Sequence, residues 1–387
     1  MSTAEAGMAV EPHIVIIAGE VSGDMHAAAL VRAVGRKRPD IRFSGIGGDE
    51  MAAAGVELRH HARDMAVVGF AEVLRRIVFF RRVFHDTVRY VWETRPQAVV
   101  LVDYPGFNMR LAAKVHAMGI RVIYYICPQV WAWNRSRIPR MARIVDRLIT
   151  IFPFEEEYFS GTGMKVGFAG HPLVDEAHRA LTAPAAELPC GGDPLVALLP
   201  GSRPGEIERI LPVMWAAAAA IEQSYPAAAF VIASPTADMA ALARRLVDGC
   251  NTGGPERWCT VSGSTRDVLR RSRAALVASG TATIEASLML CPMVVAYRVA
   301  ALTYLAARFL VRVKHIAMVN IVAGKQVCPE FVQGAARPRA LAAALLPLLE
   351  KSPARNEVMR GLERVNAALG TGGAAERAAE MVLEEVS

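Results

Sequence analysis

Short apolar runs alternate with stretches of helical periodicity along most of the chain. The runs are rich in β-branched residues, which is typical of strands that are covered on both faces. Strands that alternate with helices form parallel β-α-β units. The predicted strands are His13–Ile17, Ile41–Gly45, Ala98–Asp103, Arg121–Ile126, Arg147–Ile151, Leu195–Leu199, Phe230–Ala233, Ala274–Ala278 and Met293–Tyr297.

The predicted strands fall into two series. The first ends near residues 165–172 and the second begins at Pro194, with a loop-prone stretch, Leu181–Asp193, between them. Because 387 residues exceed one ordinary core, we expect two domains, residues 1–180 and 190–364. The predicted fold class is α/β, with two Rossmann-like, doubly wound domains that face each other across a cleft.

The composition indicates a globular protein with an anionic partner. Hydrophobic residues make up 53% of the chain and charged residues 21%, which excludes disordered and fibrous classes. The net charge of +7 suits nucleotide phosphates, nucleic acid or an acidic membrane surface. The basic residues are not grouped with aromatic ones, so we predict no nucleic-acid partner. The longest apolar stretch, residues 274–297, is broken by Ser279-Gly280-Thr281 and Pro292, so we predict no membrane-spanning helix.

Several kinds of site are missing from the sequence. The six cysteines are scattered without a C-x-x-C pair, which argues against a zinc site or a disulfide framework and for a reducing compartment. The chain has no P-loop, no D-x-D pair and no H-E-x-x-H. We therefore predict neither a metal nor a cofactor.

Polar side chains follow two strands of the first series. Glu20, Ser22 and Asp24 crowd a turn with two glycines after the first strand, at the sheet edge where ligands of open α/β sheets bind. Ser22 and Asp24 also suit the role of a helix cap. A cap does not need a second carboxylate, so this alternative does not explain Glu20. Asp103 ends another strand, where it is a candidate general base or an aspartate that serves the following turn.

Two turns of the second series are candidates for binding phosphate and ribose. Ser202 and Arg203 lie in a glycine-containing turn that opens a helix, where free N–H groups and a guanidinium suit a diphosphate; the alternative is an ordinary connection with an exposed arginine. Gly280 and Thr281 open another helix, and Glu285 follows one turn later in apolar surroundings. A carboxylate there suits a ribose diol, or complements the helix dipole.

Two further positions suit an acceptor site. Trp131 lies in a loop with a second tryptophan two residues later, as in a wall for sugar or acyl groups, although core packing explains the pattern equally well. Asn320 is the one amide in an apolar stretch, where it is able to bind a ligand hydroxyl.

A wide apolar helix face bordered by arginines indicates a membrane-facing surface. Val78 and Phe79 widen the face of the helix in residues 65–90, and Arg81 and Arg82 flank it. Helices of this kind lie in anionic membrane interfaces, and the alternative is a core helix with a basic solvated side. A second such segment, Tyr304–Lys314, favours the membrane interpretation.

Together these segments resemble those of the lipid-A-disaccharide synthase family, glycosyltransferases of the two-domain GT-B architecture. The matching segments span residues 14–350 and occur in the same order as in the family. The chain departs from the family pattern at Val319, where a proline is expected. The matching segments are Ala18–Asp24, Val102–Asn108, Pro128–Trp133, Gly170-His171-Pro172, Pro200–Glu206, Ser279–Glu285 and Asn320–Gly324.

The resemblance implies an inverting transfer from UDP-2,3-diacylglucosamine to 2,3-diacylglucosamine 1-phosphate, which gives a β-1,6 disaccharide and UDP. It implies Asp103 as the base, with Glu20 as an alternative base or an orienting partner. Arg203 and the turn at Gly280 are implied at the diphosphate, and Glu285 at the ribose. It further implies a cytoplasmic protein on the inner face of the inner membrane, leaves a homodimer open, and suggests that a helix at 365–387 returns to the first domain. The alternatives are a UDP-sugar epimerase of the same fold and a non-catalytic lipid- or nucleotide-binding protein.

Overall fold

Two separate parallel sheets carry the predicted strands. The computed structural model describes residues 12–65, 77–133, 135–250, 253–300, 304–305 and 313–386. It divides into two compact units, one built from residues up to Pro172 together with the segment that starts at Gly373, the other from Leu173–Gly372. The two-domain α/β class is therefore confirmed.

The first unit contains seven parallel strands: β1 (His13–Ala18), β2 (Arg42–Gly47), β3 (Glu57–His61), β4 (Ala98–Val102), β5 (Arg121–Tyr125), β6 (Arg147–Thr150) and β7 (Lys165–Phe168). Their order is β3-β2-β1-β4-β5-β6-β7. The described helices are α1 (Val21–Lys37), α2 (Asp49–Ala53), α3 (Ala62–Met65), α4 (Ile77–Thr94), α5 (Pro105–Ala117), α6 (Val130–Trp133), α7 (Ile138–Ile144) and α8 (Glu155–Phe159). The central strands β1 and β4 are buried along their whole length, which explains their unbroken apolar sequences.

The second unit repeats this design with six parallel strands: β8 (Leu195–Leu199), β9 (Ala229–Ser234), β10 (Trp258–Ser262), β11 (Ala274–Ala278), β12 (Met293–Tyr297) and β13 (Glu330–Val332). Their order is β10-β9-β8-β11-β12-β13. The described helices are α9 (Leu173–Thr182), α10 (Pro204–Ser224), α11 (Ala237–Asp248), α12 (Thr265–Arg271), α13 (Ala282–Leu288), α14 (Met318–Ala323), α15 (Pro338–Leu349) and α16 (Pro353–Ala368).

Both sheets reverse their strand order once. In the first unit the order reverses between β1 and β4, and in the second between β8 and β11. At such a point the connections leave in opposite directions, and the gap beyond the carboxyl ends of the two strands is where ligands of doubly wound sheets bind. The fold thus marks one ligand-binding edge in each unit.

The unit boundaries differ from the sequence-based domains. Helix α9 belongs to the second unit, where it packs against α12 and α13, so the first unit's main segment ends at Pro172 instead of residue 180. The segment 365–387 is divided, because α16 lies in the second unit and α17 (Ala374–Val386) in the first. Helix α17 packs along α1 and contacts β5 and β6.

The cysteine pattern requires a correction. Cys190 and Cys259 form a disulfide with a Cα–Cα distance of 5.9 Å, whereas the scattered spacing argued against disulfides. The pair joins the connection before β8 to β10, which lies 69 positions later in the chain and on the far side of β9 in the sheet. The remaining four cysteines are free. Across the described ranges, no helix combines the length and apolarity that crossing a membrane requires.

Candidate active site

The predicted acidic residues of the first unit lie where its strand order reverses. Glu20 follows β1 and Asp103 follows β4, two strands that pair in parallel register. Glu20 is exposed and begins α1, whereas Asp103 is partly buried. The pKa of Asp103 is raised to about 6, mainly by burial and secondly by the charge of Glu20. A carboxylate with a pKa near the working pH is suited to accept a proton.

The main chain at Asp103 is held in an uncommon conformation. Asp103 and Tyr104 both have left-handed backbone angles, with φ of 46° and 49°. The Asp103 carbonyl accepts hydrogen bonds from Asn108 Nδ2 at 2.8 Å and from the Tyr124 hydroxyl at 2.6 Å. Two donors from α5 and β5 therefore fix the turn that presents the carboxylate.

The β1 turn packs closely against this second turn. A Cβ atom at Gly19 would lie 2.5 Å from Tyr104 Cδ1, so glycine is required there for steric reasons. The absent side chain lets the two turns approach each other and brings Glu20 toward Asp103.

Asp24 is a cap, but of a different helix from the one that follows it in sequence. Its buried carboxylate accepts hydrogen bonds from the backbone N–H groups of Gly48, Glu50 and Met51, at 2.6 to 3.1 Å. These groups form the amino terminus of α2, so Asp24 is a structural residue. Ser22 is exposed in the first turn of α1, beside Glu20.

Trp131 is part of the core, which corrects its expected role as a wall for a ligand. Its side chain is 1% exposed, and its indole N–H donates to Glu155 Oε1 at 3.0 Å. Glu155 Oε2 accepts the backbone N–H groups of Ile151 and Phe152 at 3.3 and 3.2 Å. Burial raises the pKa of Glu155 to about 7. The sequence analysis missed Glu155, although a glutamate at the start of the helix that follows an apolar strand was a usable signal.

The phosphate-type turn of the second unit follows β8. Arg203 is 70% exposed in its side chain, and its Nη1 lies 3.6 Å from Glu206 Oε1. The backbone N–H of Ser202 donates to Glu206 Oε2 at 3.2 Å. Gly201 has φ of 123°, and a Cβ atom there would lie 2.7 Å from the same oxygen. The N–H group of Ser202 therefore has the Glu206 carboxylate as its acceptor in this structure.

The second predicted turn follows β11, at the same reversal of strand order. Gly280 has φ of 141°, and a Cβ atom there would meet no atom within 4 Å, so the space beside it is open. Thr281 is exposed. Glu285 Oε1 lies 3.1 Å from Arg266 Nη2, and burial raises the pKa of Glu285 while Arg266 lowers it. The five positions predicted to bind UDP therefore flank one sheet edge.

Asn320 has a structural role, which corrects its expected contact with a ligand. It is fully buried; its Nδ2 donates to the Cys328 carbonyl at 2.8 Å, and its Oδ1 accepts the N–H groups of Val327 and Cys328 at 2.7 and 2.9 Å. These bonds occupy both ends of the amide and hold the chain entering β13. Val319, which stands where proline was expected, is buried in α14.

The proposed membrane-facing residues differ in exposure. Val78 is 68% exposed, and Arg81 and Arg82 are exposed on the same helix, α4. Phe79 is only partly exposed and packs against the core of the first unit. Most of the second segment, residues 306–312, lies outside the described residues.

No cluster of three or more His, Cys, Asp or Glu side chains suited to a metal is found among the residues that the structure describes.

Solved structures with the same fold include a glycosyltransferase and an epimerase. The calicheamicin glycosyltransferase CalG4 is 17% identical, with a TM-score of 0.59, over 97% of this chain and 98% of the other. A UDP-GlcNAc 2-epimerase from Neisseria meningitidis bound to UDP-GlcNAc is 11% identical, with a TM-score of 0.64, over 96% and 100%. The fold and its two ligand-binding edges define the GT-B class.

Sequence comparisons narrow this class to one family. The family described as Lipid-A-disaccharide synthetase matches residues 14–385. A lipid-A-disaccharide synthase from Anaeromyxobacter sp. (strain K) is 43% identical over 379 residues, which are 96% of each chain. The chain belongs to the lipid-A-disaccharide synthase family and is a glycosyltransferase of lipid A biosynthesis.

Proposed function

We propose that this chain joins UDP-2,3-diacylglucosamine to 2,3-diacylglucosamine 1-phosphate through a β-1,6 bond, with release of UDP and inversion at the anomeric carbon. The observation that supports this assignment most directly is the partly buried Asp103 beside Glu20, at the strand reversal of the first unit. An inverting transfer needs one base for the acceptor hydroxyl and no covalent intermediate.

Asp103 is the general base in this proposal. Its carboxylate accepts the proton of the acceptor 6-hydroxyl as the oxygen attacks the anomeric carbon. Glu20, directly before α1, and Ser22, in the first turn of α1, orient the acceptor sugar. Because Trp131 and Asn320 are buried and hydrogen-bonded, neither belongs to the acceptor site.

The second unit binds UDP in this proposal. Arg203 stabilises the negative charge that develops on the leaving diphosphate. The N–H group of Ser202 contributes when the diphosphate replaces the Glu206 carboxylate as its acceptor. Gly280 and Thr281 leave room for the nucleotide beside β11. Glu285 accepts hydrogen bonds from the ribose hydroxyls.

Both substrates carry acyl chains, so the proposal includes an anionic membrane surface. The exposed Val78, Arg81 and Arg82 of α4 suit contact with lipid headgroups. We place the protein at the inner face of the inner membrane and leave open whether it acts as a homodimer.

The decisive measurement is UDP release with each substrate alone and with both together. We expect release only when both are present. Release without acceptor, or an epimerised donor sugar, would contradict the proposal.

Asp103→Asn is the matching variant, because asparagine tolerates the left-handed backbone that this position requires. We expect turnover to fall by about 10²–10⁴-fold, the usual contribution of a general base, with UDP affinity unchanged. Full activity of this variant would remove Asp103 from the mechanism and move the role of base to Glu20.

A further inference from the structure

Arg266 contacts two carboxylates within the second unit. Its Nη2 donates to Glu176 Oε2 of α9 and lies 3.1 Å from Glu285 Oε1 of α13. The side chains of Arg266, Glu176 and Glu285 are 30%, 12% and 21% exposed. One guanidinium on α12 therefore bridges two largely buried acids on neighbouring helices.

This arrangement decides the state of Glu285. Burial and the nearby charge of Glu176 raise the pKa of Glu285, and a protonated carboxyl would offer the ribose fewer acceptor sites. The charge of Arg266 opposes both effects and favours the ionised form. Without Arg266, two acids would share a poorly solvated site with no cation between them.

The bridge also restricts where the Glu285 carboxylate points. Its contact of 3.1 Å joins Arg266 Nη2 to Glu285 Oε1, and within the described part of the chain no second ion-pair partner of Glu285 is present. An ionised carboxylate has about four acceptor positions, so most of them stay available to a ligand. The planar guanidinium is itself held in place by Glu176, so its direction is defined.

We propose that Arg266, held by Glu176, is a positioning residue that keeps the Glu285 carboxylate ionised and directed toward the ribose hydroxyls of UDP. The inference rests on the proposed function, in which Glu285 binds the ribose. It assigns no direct contact with the substrate to Arg266 or Glu176. In the alternative arrangement, Arg266 blocks the Glu285 carboxylate until UDP displaces it. Replacing Arg266 would then strengthen UDP binding instead of weakening it.

The test compares the affinity of the full-length protein for UDP and for 2′,3′-dideoxy-UDP, by calorimetry. We expect Arg266→Gln to weaken UDP binding by about tenfold, since hydrogen bonds to an ionised carboxylate are stronger than those to a neutral one and only part of this contribution is lost. Glu176→Gln, which is isosteric, should weaken UDP binding less, because it loosens the hold on Arg266 but also removes a like charge that raises the pKa of Glu285. Binding of the dideoxy analogue, which lacks both hydroxyls, should change by less than about twofold in either variant.

Arg270→Gln is the matched control. Arg270 lies on the same helix, one turn after Arg266, and its Nη1 donates to the carbonyls of Ala180 and Ala183 at 3.0 and 2.9 Å. This variant removes comparable contacts between α12 and the end of α9 but leaves the bridge intact. We expect its ratio of UDP to dideoxy-UDP affinity to equal that of the unmodified protein.

Glu285→Gln separates failure of the inference from failure of the proposed function. If it leaves the affinity ratio unchanged, the ribose role of Glu285 is wrong, and the inference with it. If it lowers the ratio while Arg266→Gln behaves like Arg270→Gln, only the inference is wrong. Tighter UDP binding by Arg266→Gln would also overturn it, in favour of displacement.

Discussion

The Asp103 side chain combines burial with a like charge nearby. Both conditions disfavour the ionised carboxylate, and together they raise its pKa to about 6. A carboxylate with this pKa is a stronger base than a solvated one and is still ionised at neutral pH. The side-chain donors of Asn108 and Tyr124 hold the turn that carries this carboxylate.

The first prediction concerns the pH dependence of the rate. Only ionised Asp103 accepts a proton, so kcat/KM should fall as the pH drops through about 6. Glu20→Gln removes one cause of the raised pKa and should move this acidic limb to lower pH, whatever it does to the maximal rate. Glu50→Gln, an exposed carboxylate of the same unit, should leave the limb in place. A limb that Glu20→Gln does not move would mean that the two carboxylates do not interact.

The second prediction concerns the donors to the Asp103 carbonyl. Tyr124→Phe removes one of the two while keeping the aromatic packing, so we expect kcat to fall by about five- to tenfold with UDP affinity unchanged. The loss of one buried hydrogen bond should also cost about 1 kcal/mol of stability.

The control for this prediction is Tyr125→Phe, a buried neighbour whose side chain points to the other face of the sheet. It should lower stability without lowering kcat. Equal losses of kcat in the two variants would show that the Tyr124 hydroxyl acts only through general stability.

At the scale of single residues, a position directly after a strand predicted that a side chain lies at the sheet edge. An isolated polar or aromatic side chain did not reveal whether it is buried. Glu20 and Asp103 follow strands, and parallel strands bring their carboxyl ends to one edge. Trp131 suited a ligand wall and a core position equally well, and Asn320 was expected to contact a ligand. Nothing local to either residue reveals its burial. Their burial depends on partners such as Glu155 and Cys328, which lie on other elements.

At the scale of elements, the strands missing from the sequence prediction are those at the sheet edges. They are β3 and β7 of the first sheet, and β10 and β13 of the second. Edge strands are covered less completely, so they need no continuous apolar run. In β3, β7 and β13 no residue is fully buried, which agrees with this explanation.

The third prediction concerns the exposed face of α4. Replacing Val78, Arg81 and Arg82 together by serine should reduce co-sedimentation with anionic vesicles by more than about tenfold, because each basic residue near such a surface contributes about 1 kcal/mol. Phe79 is left unchanged, since it packs against the core.

The control for α4 is Arg89→Ser, which removes an exposed arginine that is paired with Asp86 further along the same helix. It should reduce vesicle binding far less than the triple variant does. Undiminished binding of the triple variant would show that α4 is not the membrane-facing surface.

At the scale of the whole molecule, the chain leaves the first unit and later returns to it. The returning helix, α17, is attached by Glu385, whose side chain is 1% exposed. Its carboxylate lies 3.2 Å from Arg121, 3.6 Å from Arg147 and 2.9 Å from Lys165. Three strands, β5, β6 and β7, thus contribute one cation each.

The fourth prediction compares two adjacent glutamates of α17. Breaking a buried ion pair costs about 3–5 kcal/mol, and since two of the three cations are more than half exposed, we expect about 2 kcal/mol for Glu385→Ala. Hydrogen exchange of the α17 amides should accelerate accordingly. Glu384→Ala removes a carboxylate that is 61% exposed and should have little effect. Similar acceleration in both variants would contradict an attachment through Glu385.

The sequence by itself determined the two series of buried strands, the parallel α/β class and the polar turns at the strand ends. These features are local, because apolar runs and glycine-containing turns consist of consecutive residues. Only the tertiary structure decided which distant charges meet. Arg266 and Glu176 are 90 positions apart, and Arg121 and Glu385 are 264 apart. Ion pairs of this kind depend on how helices pack on the sheet, and no pattern of neighbouring residues encodes that packing.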